Sequence, residues 1–131
     1  MKVLVIDADR RFAEQVAGHM EARAHIVVHQ PDPAEAMTRV KSWQPDLVFV
    51  SADAVGSGIL GRLMVGKDRP AIILTGMLDQ YSSVWKAWQT GGDDVLIKPV
   101  MNGDELNLAV ITAMENAVTG MRTVNRRRKA S

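Results

Sequence analysis

The chain has 131 residues, of which 47% are hydrophobic and 24% charged, so it can bury the core of one soluble domain. It contains no cysteine, which excludes disulfides, thiol catalysis and cysteine-based zinc sites. The net charge of the whole chain is +1, but it is unevenly distributed: residues 1–121, the body of the chain, carry a net charge of −4, and residues 122–131 are basic. A body of that sign is not expected to bind nucleic acid. No apolar run is long enough to span a membrane, and we expect a cytoplasmic protein.

Short apolar runs alternate along the chain with segments in which apolar residues recur at helical spacing. The first run, at 3–6, is continuous and rich in β-branched residues, which is typical of a strand buried on both faces. Strands are predicted at 3–6, 26–28, 47–50, 71–74 and 95–97, and helices near 10–23, 33–43, 58–66, 81–88 and 102–117. Five strand–helix repeats predict an α/β domain with a doubly wound parallel sheet.

Polar side chains follow the predicted strands at the points where these end. In doubly wound sheets the carboxyl ends of the strands meet at one edge, where function is concentrated. That edge is predicted to carry Asp7, Asp9, Ser51, Asp53, Thr75 and Lys98. Any one of them could be a helix cap or a solvated charge, but together they indicate a site.

Four segments carry a resemblance to a known family: 3–9, 45–51, 72–76 and 91–99, the last ending in Lys98-Pro99. Over residues 2–118 the chain resembles the receiver domain of response regulators in two-component signalling. The resemblance implies a flavodoxin-like (βα)5 fold with strand order 2-1-3-4-5 and a cis Lys98–Pro99 bond. We therefore expect a receiver-like domain at 1–118 and a basic tail or linker at 119–131, which could extend the last helix.

The departures from the family pattern concern phosphorylation. Ser51 occupies the position of the phosphoacceptor aspartate, and Ala8 stands where a cation-binding acid is usual. A serine hydroxyl needs an activating base, and Mg²⁺ needs carboxylate ligands, so we expect neither phosphorylation at Ser51 nor more than weak Mg²⁺ binding. Lys98 is expected to bond Asp7, Asp9 or Ser51 instead. These features predict a pseudo-receiver without enzymatic activity, in which the histidines have no chemical role.

Partners are expected to be other signalling proteins or a C-terminal effector. Tyr81, Trp85 and Trp88 fall on one face of the fourth predicted helix, and such residues are enriched at binding sites. We expect Trp88 to pack against the sheet and Trp85 to be exposed. Val95 stands where many receivers carry an aromatic switch residue, so the usual coupling of that residue to the threonine should be absent. Tyr81, Trp85 and Val95 form the predicted interaction face, which could also make a homodimer through the fourth helix, fifth strand and fifth helix.

Two alternatives remain open. The chain could be a phosphoryl-accepting receiver in which Asp53 replaces the missing acceptor and joins Asp7 and Asp9 in a Mg²⁺ site. It could instead bind a nucleotide through the segment from Gly56 to Gly61, which matches G-x-G-x-x-G. That motif should lie directly between a strand and a helix, whereas this segment starts five residues after Ser51, the end of the 45–51 segment.

The basic end offers a further hypothesis. Arg126 to Lys129 form a cluster that could contact phosphates, although such clusters are usually solvated. The residues Ile111, Met114, Val118, Met121 and Asn125 have the spacing of a coiled-coil seam. The last helix could therefore continue beyond the domain and pair with a second copy, although Gly120 weakens this pattern.

Overall fold

The computed structural model describes residues 1–66 and 68–122. The strands are β1 (Lys2–Ile6), β2 (Ile26–His29), β3 (Leu47–Ser51), β4 (Ala71–Met77) and β5 (Asp94–Lys98). The helices are α1 (Arg10–Glu21), α2 (Pro33–Trp43), α3 (Ala52–Val55), α4 (Ile59–Leu63), α5 (Tyr81–Trp88) and α6 (Gly103–Thr119). All neighbouring strands are parallel, and their order is β2-β1-β3-β4-β5. The predicted fold and strand order are confirmed.

The sheet separates two hydrophobic cores. On one face α1 and α6 pack over alternate strand residues, with Phe12 and Phe49 in edge-to-face contact at 5.8 Å. The opposite face is covered by α2, α3, α4 and α5. Both faces of the sheet therefore exclude water, which explains why β1 and β3, apart from Lys2 and Ser51 at their ends, are continuous apolar runs without alternation.

Side-chain caps fix where several helices begin. Asp32 and Asn102, the two predicted caps, accept hydrogen bonds from Ala34 N and Glu105 N at 2.9 and 3.0 Å. Such caps stabilise a helix by about 1 kcal/mol each, because they satisfy donors that have no partner within the helix. The described residues include no helix that is long and apolar enough to cross a membrane.

Two helical segments differ from the prediction. The helix predicted near 58–66 is the shorter α4, and α3, which was not predicted, begins directly after Ser51. At the other end α6 stops at Thr119, because Gly120 adopts a left-handed conformation with φ of 72°. The last helix therefore does not continue through Gly120 as one coiled-coil seam. The Arg126–Lys129 cluster and Asn125 lie outside the described residues.

Candidate functional site at the carboxyl edge of the sheet

The carboxyl ends of β1, β4 and β5 bring three of the predicted residues into direct contact. The Lys98 ammonium lies 2.9 Å from Asp7 Oδ2, and the Thr75 hydroxyl donates to the same oxygen at 3.2 Å. The Lys98 and Asp7 side chains are only 6% and 4% exposed. The Lys98–Pro99 peptide bond is cis. A buried ion pair thus occupies the centre of this edge.

Asp9 forms the second arm of this ion pair. Its Oδ2 lies 3.2 Å from the Lys98 ammonium, and its Oδ1 accepts from Phe12 N at 3.1 Å. The hydrogen bond from Phe12 N, assisted by Lys98 and opposed by burial, holds the pKa of Asp9 below its ordinary value. Asp7 Oδ1 in turn accepts from Asp9 N at 2.9 Å. Every carboxylate oxygen of Asp7 and Asp9 is therefore already bound to a donor within the chain.

His29, for which no chemical role is predicted from sequence, supports the turn after β1. Its Nε2 lies 2.6 Å from the backbone carbonyl oxygen of Asp7, and this nitrogen must carry a proton because a carbonyl can only accept. The imidazole thus connects the end of β2 to the turn that holds Asp7. Because every residue has a backbone carbonyl, no pattern of residue types indicates which carbonyl a histidine will bind. This contact could therefore not be predicted from the sequence.

Ser51 is the last residue of β3, and its side chain pairs with a backbone N–H and not with a base. Its side chain is buried, and its Oγ accepts from Ala54 N at 3.3 Å, which caps α3. The hydroxyl oxygen is therefore used to start a helix. It does not take the place of the missing carboxylate beside Lys98, whose partners are Asp7 and Asp9.

Asp53 is directed away from this ion pair. It is exposed, and its Oδ1 accepts from Gln80 Nε2 at 2.8 Å. The Oε1 of the same Gln80 accepts from Met77 N at 3.0 Å, so Gln80 ties α3 to the end of β4. Among residues 1–66 and 68–122, no three His, Cys, Asp or Glu side chains are grouped so that they could hold a metal ion. The hypothetical site of Asp7, Asp9 and Asp53 is not assembled.

A magnesium ion, which the receiver fold implies, does not fit the residues of this edge. Mg²⁺ requires oxygen ligands in nearly octahedral geometry, usually including one or two carboxylates. Here the Lys98 ammonium bridges Asp7 and Asp9, while Ala8 and Ser51 supply no carboxylate. The Lys98 ammonium therefore neutralises one of the two carboxylate charges and occupies the position between them that a divalent cation would need.

The predicted interaction face is only partly exposed. Tyr81 is 45% exposed, whereas Trp85 and Trp88 are both half-buried against the core, so Trp85 is only partly exposed. Val95 is 1% exposed, because its position on β5 points it under α5, and it cannot contribute to a surface. An open groove of about 460 Å³ remains on α5. We call it the α5 groove, and it is lined by Tyr81, Ser82, Trp85, Lys86 and Gln89.

The glycine segment does not have the geometry of a dinucleotide site. Gly56 follows α3, and Gly58, with φ of 81°, begins the five-residue helix α4. The first part of the segment is therefore a turn between two short helices, and Gly61 lies within the second of them, α4. The segment does not connect a strand to a helix that could receive a pyrophosphate.

The strand order and the two helical layers are those of the receiver fold, as comparison with solved structures shows. The receiver domain of NtrX from Brucella abortus superposes with a TM-score of 0.75 at 21% identity, covering 86% of this chain and 98% of that one. A receiver domain protein from Clostridium thermocellum gives 0.75 at 20% identity, covering 92% and 98%.

A longer NtrX chain gives a TM-score of 0.79 at 21% identity, covering 91% of this chain. This chain spans only 27% of that longer protein. In sequence, no protein-family model and no curated protein matches the chain. At these identities the comparisons establish the fold.

Proposed function

We propose that this chain is a pseudo-receiver, a signalling domain that binds protein partners without being phosphorylated. The observation that carries the proposal is the Lys98 ammonium, which pairs with Asp7 and Asp9 at the edge where receivers accept a phosphoryl group. In the family that the chain resembles, an aspartate after β3 is the acceptor and a cation neutralises the phosphoryl oxygens. Here the acceptor position holds Ser51, and the cation is part of the protein.

The chemistry of Ser51 supports the same proposal. A serine hydroxyl attacks phosphorus only when a base removes its proton, and its oxygen is used here as the cap of α3. Asp53, the alternative acceptor, is bound to Gln80 and exposed to solvent. A misplacement of about 1 Å is already costly for such a reaction. Neither Ser51 nor Asp53 is therefore well placed as a nucleophile.

The α5 groove is the surface proposed for the partner. It carries two aromatic residues, Tyr81 and Trp85, and one cation, Lys86, but no carboxylate. Aromatic residues supply much of the binding energy at protein interfaces. The partner would be another signalling protein or an effector domain, and the similarity to the longer NtrX chain is compatible with the second. A homodimer through α5, β5 and α6 is the alternative assembly.

The first prediction concerns the phosphoryl site. Titration calorimetry of the protein with Mg²⁺, and then with beryllofluoride as a phosphoryl mimic, is expected to give no binding heat, because the carboxylates are occupied by Lys98. The control is the double variant Ala8→Asp/Ser51→Asp, which returns carboxylates to both positions and should bind Mg²⁺ more tightly than the natural chain.

Clear binding of both ligands to the natural chain would overturn the proposal. In that case Asp53→Ala and Ser51→Ala would locate the acceptor, because only the substitution of the true acceptor would abolish beryllofluoride binding.

The second prediction concerns the α5 groove. Tyr81→Ala is expected to weaken binding of a purified partner about tenfold, since truncation of an aromatic interface residue typically costs about 1–2 kcal/mol. Tyr81 is suited to the test because it is 45% exposed and its loss should leave the fold intact. Ile26→Ala is the matched control: Ile26 is 61% exposed but lies on the edge strand β2. Equal affinities for both variants would show that the partner binds elsewhere.

A further inference from the structure

Arg122, two residues after Gly120, lies against the C-terminal end of α5. Its Nε donates to Gly92 O at 2.9 Å, and its Nη2 donates to Gly91 O at 3.1 Å and also to Trp88 O. The end of a helix leaves carbonyl groups without partners inside the helix, and a cation is favourable there. One side chain therefore satisfies three carbonyls and attaches the chain after α6 to a different helix.

The same guanidinium also stacks on Trp88, with its central carbon 3.7 Å from the centre of the ring. Trp88 contacts Trp85 edge to face at 6.3 Å, and Trp85 contacts Tyr81 in the same way at 5.7 Å. We call Tyr81, Trp85 and Trp88 the aromatic row. It runs the length of α5: Tyr81 and Trp85 line the α5 groove, and Trp88 contacts Arg122.

The loop that receives Arg122 is held in one position. Gly92 has φ of 102°, and an added Cβ there would lie 3.0 Å from Leu74. The next residue, Asp93, is anchored by two hydrogen bonds from Arg69 and by one that its carboxylate accepts from Ile72 N. Burial lowers the pKa of Arg122 against the opposing effect of nearby Asp93, but the group stays charged at neutral pH. The loop that carries the acceptors is thus anchored to β4 and to Arg69.

We propose that Arg122 is a latch through which occupancy of the α5 groove and the position of the segment from Gly120 to Arg122 are coupled. The inference rests on the proposed function, because it takes the α5 groove as the place where a partner binds. A partner that moves Trp85 removes a ring contact that holds Trp88 in place. The Trp88 ring can then shift, and the Arg122 guanidinium that stacks on it is held less firmly. If partner binding changes the equilibrium between the bound and released states of Arg122 by some factor, then release of Arg122 must change the affinity of the α5 groove for the partner by the same factor.

A spin label reports the state of the latch directly. Because the chain has no cysteine, Met121→Cys gives a single labelling site next to Arg122, at a residue that is 63% exposed. The label is expected to be restricted in the otherwise natural chain and several-fold more mobile after Arg122→Ala. Arg122→Lys should also release it, since an ammonium cannot stack on the ring while bonding several carbonyls. Arg62→Ala on α4 is the control and should leave the spectrum unchanged. Identical spectra for the labelled chain with and without the Arg122→Ala substitution would overturn the latch.

A second experiment with the spin-labelled chain tests the coupling along the aromatic row. In the labelled chain Trp85→Ala is expected to increase label mobility, whereas Trp85→Phe, which keeps a ring between Tyr81 and Trp88, should retain most of the restriction. No change with Trp85→Ala would overturn the coupling. If the label fails to respond while Tyr81→Ala still weakens partner binding, the latch is wrong and the proposed function stands. If the natural chain binds beryllofluoride, the proposed function fails whatever the label shows.

Discussion

Replacement of Lys98 by methionine is expected to lower the free energy of unfolding by about 3–5 kcal/mol, the usual cost of removing one partner of a buried ion pair. The substitution leaves Asp7, whose side chain is 4% exposed, with its charge uncompensated, and it removes one of the donors to Asp9. Methionine fills a similar volume, so the loss of stability reflects the missing positive charge more than a cavity left in its place. Urea unfolding followed by circular dichroism measures the change.

Two variants make this result specific. Lys41→Met removes an exposed lysine from α2 and should change stability by no more than about 0.5 kcal/mol. Asp7→Asn combined with Lys98→Met removes both charges, so its loss should be clearly smaller than the sum of the single losses. If Lys98→Met were as harmless as Lys41→Met, the ion pair would not be the centre of this edge, and Asp7 and Asp9 would be open to an external cation.

The sheet and the composition of the edge could be predicted because both follow from local patterns. Five apolar runs separated by helical segments specify a parallel sheet, and the ends of parallel strands converge whatever the loops do. Asp7, Thr75 and Lys98 directly follow or end those runs, so their contact was predictable. Which of Asp7, Asp9 and Ser51 would bind Lys98 was not predictable. It depends on which hydrogen-bond donor each of these side chains reaches in the folded domain.

The unpredicted contacts involve short helices and backbone carbonyls. Ser51 caps α3, a helix of four residues that is too short to show periodicity, and the same helix directs Asp53 toward Gln80. Arg122 binds carbonyl groups, which every residue possesses and no sequence pattern marks. Tertiary placement, rather than residue type, decides such contacts.

Asp93→Ala is expected to be as damaging as Lys98→Met, with a loss of about 3–5 kcal/mol in the free energy of unfolding. Asp93 is 1% exposed, and its carboxylate receives both arms of Arg69, at 2.9 and 2.8 Å, as well as Ile72 N at 2.8 Å. This hydrogen-bonded pairing raises the pKa of Arg69, whose side chain is 19% exposed. The alanine variant removes the carboxylate partner of the Arg69 guanidinium, which keeps its hydrogen bond to Pro70 O, and it removes the carboxylate acceptor of the buried Ile72 N–H. Chemical unfolding measures the loss.

Asp93→Asn separates the two contributions, because an amide oxygen can still accept from Ile72 N but carries no charge for Arg69. The loss of stability caused by Asp93→Asn should lie between those caused by Asp93→Ala and by a control. The control is Asp79→Ala, which removes an exposed carboxylate and should change stability by no more than about 0.5 kcal/mol. A loss for Asp93→Asn as small as that of Asp79→Ala would mean that the ion pair with Arg69 contributes nothing. Because Asp93 also fixes the loop whose carbonyls bind Arg122, Asp93→Asn should loosen a label at residue 121 before the domain unfolds. Stability at the amino end of β5 and the position of Arg122 therefore depend on the same carboxylate.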